Sequence, residues 1–302
     1  MNNIDITFYG NPLRILRAIR FSTRYGWKIE DETYKSMVRN VDRLSIITHE
    51  RIRDEFQKIL MSKNATLGIR TLVDIGAMKY IIPELVQTVG MTQNKYHFGD
   101  VFEHTLALID YYHTHFESDL ICLLSCLLHD IGKVITKTID EKGNVHFYKH
   151  ELQTCLIMNI LKNLKYDNHT IKEVCFIVKN HMRTKSFGND CENVKQKTLN
   201  KFIYTCFTKE RYIRLCKVIE CDNMSHHKDY VIKGQYNYFM KQLDNKMFGY
   251  KLPVNGNDIK KCLGIDGGVI IKHILDILIK LSFNNPDISR ETCLKQIKGL
   301  YK

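Results

Sequence analysis

Helix breakers are scarce in this chain: 302 residues hold 4 prolines and 16 glycines, so long helices are expected. No C-x-x-C pair occurs among the ten cysteines. Several of them (Cys122, Cys126, Cys155, Cys175) sit in apolar helical stretches, where free cysteine behaves as a small buried hydrophobe. This argues against a disulfide scaffold and for a reducing compartment, and the expected location is cytoplasmic. No apolar run approaches the ~18 residues needed to cross a bilayer. The densest, LICLLSCLL at 120–128, reads as a buried helix, so no membrane association is expected. The first residues, MNNIDITFYG, lack the basic and apolar segments of a signal peptide. Internal repeats and low-complexity tracts are absent as well.

What is present is a chain 44% hydrophobic and 26% charged, enough for a sizeable core and two or three modules. Its net charge of +12 favours a polyanionic partner, nucleic acid being the usual one; a merely well-solvated basic surface is the alternative. Residues 12–25 read as an amphipathic helix, with Asn11 as cap and Pro12 in the first position. Ile15, Leu16 and Ile19 share its apolar face, and Arg14, Arg17, Arg20 and Arg24 form a basic stripe. Phe21 and Trp27 are expected to pack this region. Further helices are expected at 101–116, 119–131 (opened by Ser118 as cap), 150–164, 170–182, 195–206 and 208–225. The segment 138–150 is the one strand-like or loop interruption, turning at Lys142-Gly143-Asn144. GMTQNKYHFGD at 90–100 reads as a linker. Gly256-Asn257-Asp258 reads as a turn and cap before a final helical segment.

Six residues carry the chemistry: His104, the adjacent His129-Asp130, then His150, His181 and Asp222. Imidazole and carboxylate hold divalent ions while leaving positions for water. An adjacent His-Asp pair at the end of an apolar helix is costly to bury without partners. His104, His129, Asp130 and Asp222 suffice for one ion; His150 and His181 can add a second, with Asp130 bridging. Such ions activate water and clamp phosphoryl oxygens. Asp130 and Lys133 are therefore the candidate catalytic residues, Lys133 as a point charge for phosphate. The donor set suits Mg, Mn, Fe, Co, Ni or Zn and does not choose among them. Core histidines with ordinary hydrogen bonds are the competing reading. His113, His115, His226 and His227 lack this context and read as surface or supporting residues.

The order of these residues, with LLSCLLHDIGK, FYKHE, NHMR and ECDN around them, resembles the HD superfamily of metal-dependent phosphohydrolases over about 101–230. The resemblance implies that the six are metal ligands. NPLRILRAIRFSTRYGW at 11–27 resembles the class II CCA-adding tRNA nucleotidyltransferase and poly(A) polymerase family. SIITHERIRDEFQKIL is similar to that family's neck, and LPVNGNDIKKCLGIDGG to its tail. The implied architecture is all-α: a helical neck (1–95), an HD helical bundle (96–235) and a short helical tail (236–302). Only ten residues precede Asn11, and no glycine-rich turn with a D-x-D pair occurs there. Of the family's nucleotide-reading acids and arginine, only Arg14 is retained, with Gly10 and Asn11 at the acidic positions. The chain alone is thus expected not to add nucleotides.

Two functions follow as expectations. One is a metal-dependent phosphohydrolase acting on RNA ends or nucleotides. The other is an RNA-binding subunit or remnant of a tRNA nucleotidyltransferase, with tRNA as partner, Arg14, Arg17, Arg20 and Arg24 contacting RNA, and a nucleotidyltransferase head encoded separately.

Overall fold

The structure is a computed structural model that describes residues 3–93, 99–189 and 191–300. Among these the chain is helical apart from one antiparallel hairpin, β1 (Thr138–Ile139) with β2 (Val145–His146). The hairpin falls in the interruption expected at 138–150 and turns through Gly143, whose φ is 81°. Residues 94–98 of the expected linker lie outside the described residues. Contacts divide the chain into two units: Met1–Lys185 with Arg214–Tyr236, and Ser186–Ile213 with Asn237–Lys302.

The first unit begins with α1 (Asn3–Gly10), α2 (Leu13–Tyr25), α3 (Asp31–Asn40), α4 (His49–Leu60), α5 (Ala65–Asp74) and α6 (Pro83–Val86). Ile15, Leu16 and Ile19 of α2 are fully buried, and the helix packs on α4 and α5. Close approach of α5 depends on Gly68, where a Cβ would stand 2.5 Å from Ile59 Cγ2 and from Thr23 Oγ1. Helix α2 ends at Gly26, whose φ of 69° is left-handed and whose N–H donates to Ser22 O. The expectation that Phe21 and Trp27 pack inside is overturned: they are 38% and 64% exposed. At about 100° per residue Phe21 points away from the stripe that Ile15, Ile19 and Thr23 bury, and Trp27 follows the turn that ends the helix. Arg14, Arg17 and Arg24 are exposed, whereas Arg20 pairs with the buried Glu55 (Nε to Oε2, 3.1 Å).

The same unit continues with α7 (Val101–His115), α8 (Leu120–Leu128), α9 (Lys133–Thr136), α10 (Thr154–Asn163), α11 (Asn168–Asn180) and the latter part of α13 (Lys209–Met224). Helix α8 is apolar all round and buried from Ile121 to Leu128, as a helix enclosed by others must be. Helices α7 and α11 pack against it. Its cap is Asp119 and not Ser118: the carboxylate accepts from Cys122 N–H at 3.1 Å and from Arg214 Nε at 2.9 Å.

In the second unit α12 (Gln196–Cys206) pairs with the start of α13, and the end of α14 (Gln235–Met240) brings in Phe239 against Tyr212 and Phe202. Helices α15 (Gly256–Leu263), α16 (Val269–Ser282) and α17 (Arg290–Leu300) enclose Ile259, Ile274, Leu278, Cys293 and Ile297. Asn255 and Asp258 form a reciprocal capping box at the start of α15.

Where α8 gives way to α9, Gly132 lies against the segment carrying His150: a Cβ there would stand 2.2 Å from the His150 carbonyl oxygen. A backbone atom cannot yield as a flexible side chain does. Gly132→Ala is expected to lose about 1–3 kcal/mol of stability, as overpacked sites do, read as a lower denaturant midpoint. Gly10→Ala, with nothing within 4 Å, serves as control. Equal midpoints for the two variants would contradict this close approach.

Candidate metal centre

All six expected residues converge. His104 comes from α7, His129 and Asp130 from the end of α8, and His150 from the turn after the hairpin. His181 follows α11, and Asp222 comes from the last turns of α13. None is more than 7% exposed. His104 Nε2 stands 3.2 Å from Asp222 Oδ1 and 3.8 Å from Asp130 Oδ2. His129 Nε2 is 3.2 Å from Asp130 Oδ2 and 3.9 Å from Asp222 Oδ1. His150 Nε2 meets the other Asp130 oxygen at 3.0 Å. Two sets, His104/His129/Asp130 and Asp130/His150/His181, each bring ligand atoms within 4.8 Å of one another. Asp130 belongs to both.

The orientation of the rings is decided locally. His129 Nδ1 lies 2.8 Å from Cys126 O, His150 Nδ1 3.0 Å from Phe147 O, and His181 Nδ1 2.6 Å from Val178 O. His104 Nδ1 lies 3.3 Å from Ser225 O. A peptide carbonyl only accepts, so each Nδ1 carries a hydrogen and each Nε2 is the atom turned inward. His129 Nε2 and His150 Nε2 are fully buried and make no well-angled hydrogen bond. Buried polar atoms left this way cost about 1–3 kcal/mol each. Nitrogen lone pairs and carboxylate oxygens aimed at common points are the donor set a divalent cation satisfies. The residues present therefore fit such an ion.

The electrostatics agree. Burial pushes the Asp130 carboxyl upward, but the adjacent His129 ring, the Lys133 ammonium and the contact from His150 outweigh it and hold the group well below the carboxylate range. Asp222 is treated likewise: burial raises it, and Lys185, His104 and His226 bring it well below. Burial drives His181 down to about 3, with His129 adding to the effect, and also lowers His104 against the pull of Asp222. His150 is raised, because its contact with Asp130 overcomes burial. Ionised carboxylates beside imidazoles that burial keeps neutral, as at His104 and His181, are the protonation states that bind cations.

Lys185 escaped the sequence reading, and His226 takes the supporting one of its two expected roles. Lys185 places Nζ 2.7 Å from Asp222 Oδ2 and 3.3 Å from His226 Nε2. His226, read as a surface or supporting residue, stacks on His104 at 5.7 Å between centroids and stands 3.7 Å from Asp222. Each lies four residues beyond an expected ligand, and that spacing was the available signal. The expected Lys133 is buried, with Nζ 2.6 Å from Asp130 Oδ2 and 2.6 Å from Gln93 Oε1. A cavity of about 220 Å³ opens on the cluster, walled by Asp130, Lys133, Lys185 and the hairpin residues Val145 and His146 with Phe147 and Tyr148. On that wall His146 Nε2 meets Asp140 at 3.0 Å and His146 Nδ1 meets the Tyr148 hydroxyl at 3.1 Å. Arg14, Arg17, Arg20 and Arg24 lie on α2, outside this cluster.

Residues 26–88 match the family described as the probable RNA and SrmB-binding site of polymerase A, and residues 96–203 match the HD domain. The A-adding tRNA nucleotidyltransferase of Deinococcus radiodurans is 35% identical over 181 residues, 57% of this chain and 42% of that protein. The CC-adding tRNA nucleotidyltransferase of Thermus thermophilus is 29% identical over 184 residues, 58% of this chain and 42% of that protein. The chain thus spans under half the length of these relatives. Among solved structures, the Bacillus stearothermophilus CCA-adding enzyme in complex with CTP shares the fold. The match has a TM-score of 0.67 at 17% identity and covers 99% of this chain and 64% of that one. The chain carries a polymerase A RNA-binding domain and an HD domain, and it is homologous to the C-terminal region of the CCA-adding enzymes.

Proposed function

We propose that this chain is a metal-dependent phosphohydrolase of the HD type that acts on RNA ends or nucleotides. One observation carries the reading: four imidazoles are pinned through Nδ1 to peptide carbonyls so that Nε2 faces two buried, ionised carboxylates. His104, His129, Asp130 and Asp222 would hold one divalent ion, and His150 and His181 with Asp130 a second. An ion so held supplies Lewis acidity and a water of lowered pKa.

The chain's own groups do the rest. Lys133 and Lys185 present ammonium charge at the cavity wall, where they bind and orient phosphate oxygens. The two carboxylates carry the negative charge that would otherwise repel a phosphate, so each needs a cationic partner before an anion can enter. Phe147 flanks Lys133, its ring centroid 5.3 Å from Nζ, and limits that ammonium's access to water. A cavity of about 220 Å³ suits a phosphoryl group with part of a ribose rather than a folded RNA, which points to chain ends and mononucleotides.

A second reading has its own support in the homology to tRNA nucleotidyltransferases: the chain acts as the tRNA-binding part of such an enzyme, beside a nucleotidyltransferase head. The net charge of +12 and the exposed Arg14, Arg17 and Arg24 favour a nucleic-acid partner for either reading. Arg20 is expected to contribute less, since Glu55 already neutralises it. No described helix is long and apolar enough to cross a membrane, and cytoplasmic location remains part of the proposal.

Three outcomes test these readings. Added Mn²⁺ or Ni²⁺ is expected to raise the unfolding temperature of the wild-type chain, by the equivalent of about 2.7 kcal/mol at a hundredfold excess over Kd. Asp130→Asn is expected to lose at least about a hundredfold in affinity, since even residues that merely support a ligand cost 10–100-fold. Equal shifts in the two proteins would remove the metal site. With metal present, hydrolysis of a 2′,3′-cyclic nucleotide or a generic phosphoester should vanish in His129→Ala/Asp130→Ala and fall steeply in Lys133→Ala; equal rates would end the hydrolase reading. Binding of tRNA should weaken with salt, and replacing Arg14, Arg17 and Arg24 by Gln should reduce the slope of log K against log salt by about 2–3. A slope unchanged by these substitutions would clear the arginines of phosphate contact.

A further inference from the structure

We infer that the end of α2 is a stacking ledge for unpaired nucleobases, formed by Phe21, Tyr25 and Trp27 with Arg20 and Arg24. This deepens the RNA part of the proposed function and is independent of the metal centre. The three rings form a continuous stack. Phe21 and Tyr25 are nearly parallel at 10°, with centroids 6.4 Å apart, and Tyr25 and Trp27 lie 4.6 Å apart at 24°. The outermost ring is also the most exposed: Trp27 is 64% exposed, and Tyr25 is 49%. Large rings in water at the end of a helix cost stability that burial would recover.

The rings are nonetheless held firmly. Gly26 turns the chain through a left-handed residue, Trp27 N–H donates to Ser22 O at 3.1 Å, and the Ser22 hydroxyl donates back to Trp27 O at 2.5 Å. Trp27 is therefore fixed by its backbone while its indole stays open, which is the preorganisation a flat ligand needs. The guanidiniums supply the second element. Arg20 lies over Phe21 at 4.6 Å from the centroid and Arg24 over Tyr25 at 5.5 Å. Both arginines also line a groove of about 520 Å³ with Lys58, Lys63 and Asn64. Glu55, paired with Arg20 at 3.1 Å and 3.9 Å from Lys58, offsets part of that charge. A row of accessible aromatic faces beside a cationic groove matches a single strand, with bases on the rings and phosphates in the groove. A duplex hides its base faces, and an acidic peptide has no flat ring for Trp27 to stack on.

Trp27 is the one tryptophan of the chain, so its fluorescence reports on this ledge alone. A single-stranded oligoadenylate of twelve residues is titrated into the full chain, with duplex RNA of equal length and inorganic polyphosphate as charge-only controls. The single strand is expected to quench the emission, and Tyr25→Ala and Trp27→Ala each to weaken its binding about tenfold by anisotropy. Trp27→Phe should largely restore binding. Mn²⁺-induced stabilisation should be the same in all these variants, which keeps the ledge separate from the metal centre. Binding without quenching, or equal affinity in Tyr25→Ala, would overturn the ledge while leaving RNA binding through charge intact. No binding of any polynucleotide would overturn both. Quenching that depends on protein concentration alone would assign the rings to self-association and overturn the ledge as well.

Discussion

The candidate site depends on a constraint of the backbone: four peptide carbonyls accept the Nδ1 hydrogens of His104, His129, His150 and His181 and so fix which nitrogen faces inward. Three of these bonds reach back three residues along the chain, from His129 to Cys126, His150 to Phe147 and His181 to Val178. They need only a local turn ending at a histidine, helical at His129 and His181 and left-handed through Lys149 at His150, so the sequence can set ring orientation locally before the helices meet. The fourth, from His104 to Ser225, joins α7 to the residues after α13 and ties the earliest candidate ligand to the latest. Two carboxylates then share one buried region, which is tenable only with compensating charge. Lys133 and Lys185 provide some of it, each by direct contact with one carboxylate.

That arrangement gives the lysines two connected roles. They stabilise Asp130 and Asp222 as carboxylates, and they stand on the wall of the cavity through which an anion would approach. A site built of acids alone would bind cations and repel phosphate. One built of lysines alone would bind phosphate without a means of activating water. Their interleaving within about 4 Å is why phosphoester chemistry is the reading proposed: it uses both the carboxylates and the lysines of this cluster.

Much of this was legible in the sequence because it is carried by residue type and order. The His129-Asp130 pair ends an apolar helix, where such residues are expensive to bury singly, and the other four candidates stand out by residue type and order. Ile15, Leu16 and Ile19 follow helical periodicity and are buried as that periodicity requires. What escaped depended on three-dimensional neighbours. Lys185 lies in an irregular helical segment after His181, and in NHMRTK its four-residue spacing from that histidine is the one mark that separates an inward lysine from a solvated one. His226 follows Asp222 by one turn, but its role is defined by stacking on His104, over a hundred residues earlier. Asp119 replaces Ser118 as the cap because Arg214 reaches it from a distant helix. Phe21 and Trp27 are expected to pack the neck, whereas helix phase and the turn at Gly26 leave them 38% and 64% exposed.

The central claim is that the converging imidazoles and carboxylates constitute one cation-binding centre. Crystals grown with Mn²⁺ and measured at the manganese absorption edge test it most directly. The account predicts an anomalous peak bonded to Nε2 of His104 and His129 and to oxygens of Asp130 and Asp222. Manganese found only at surface carboxylates, with these six side chains arranged as they are here, would contradict it.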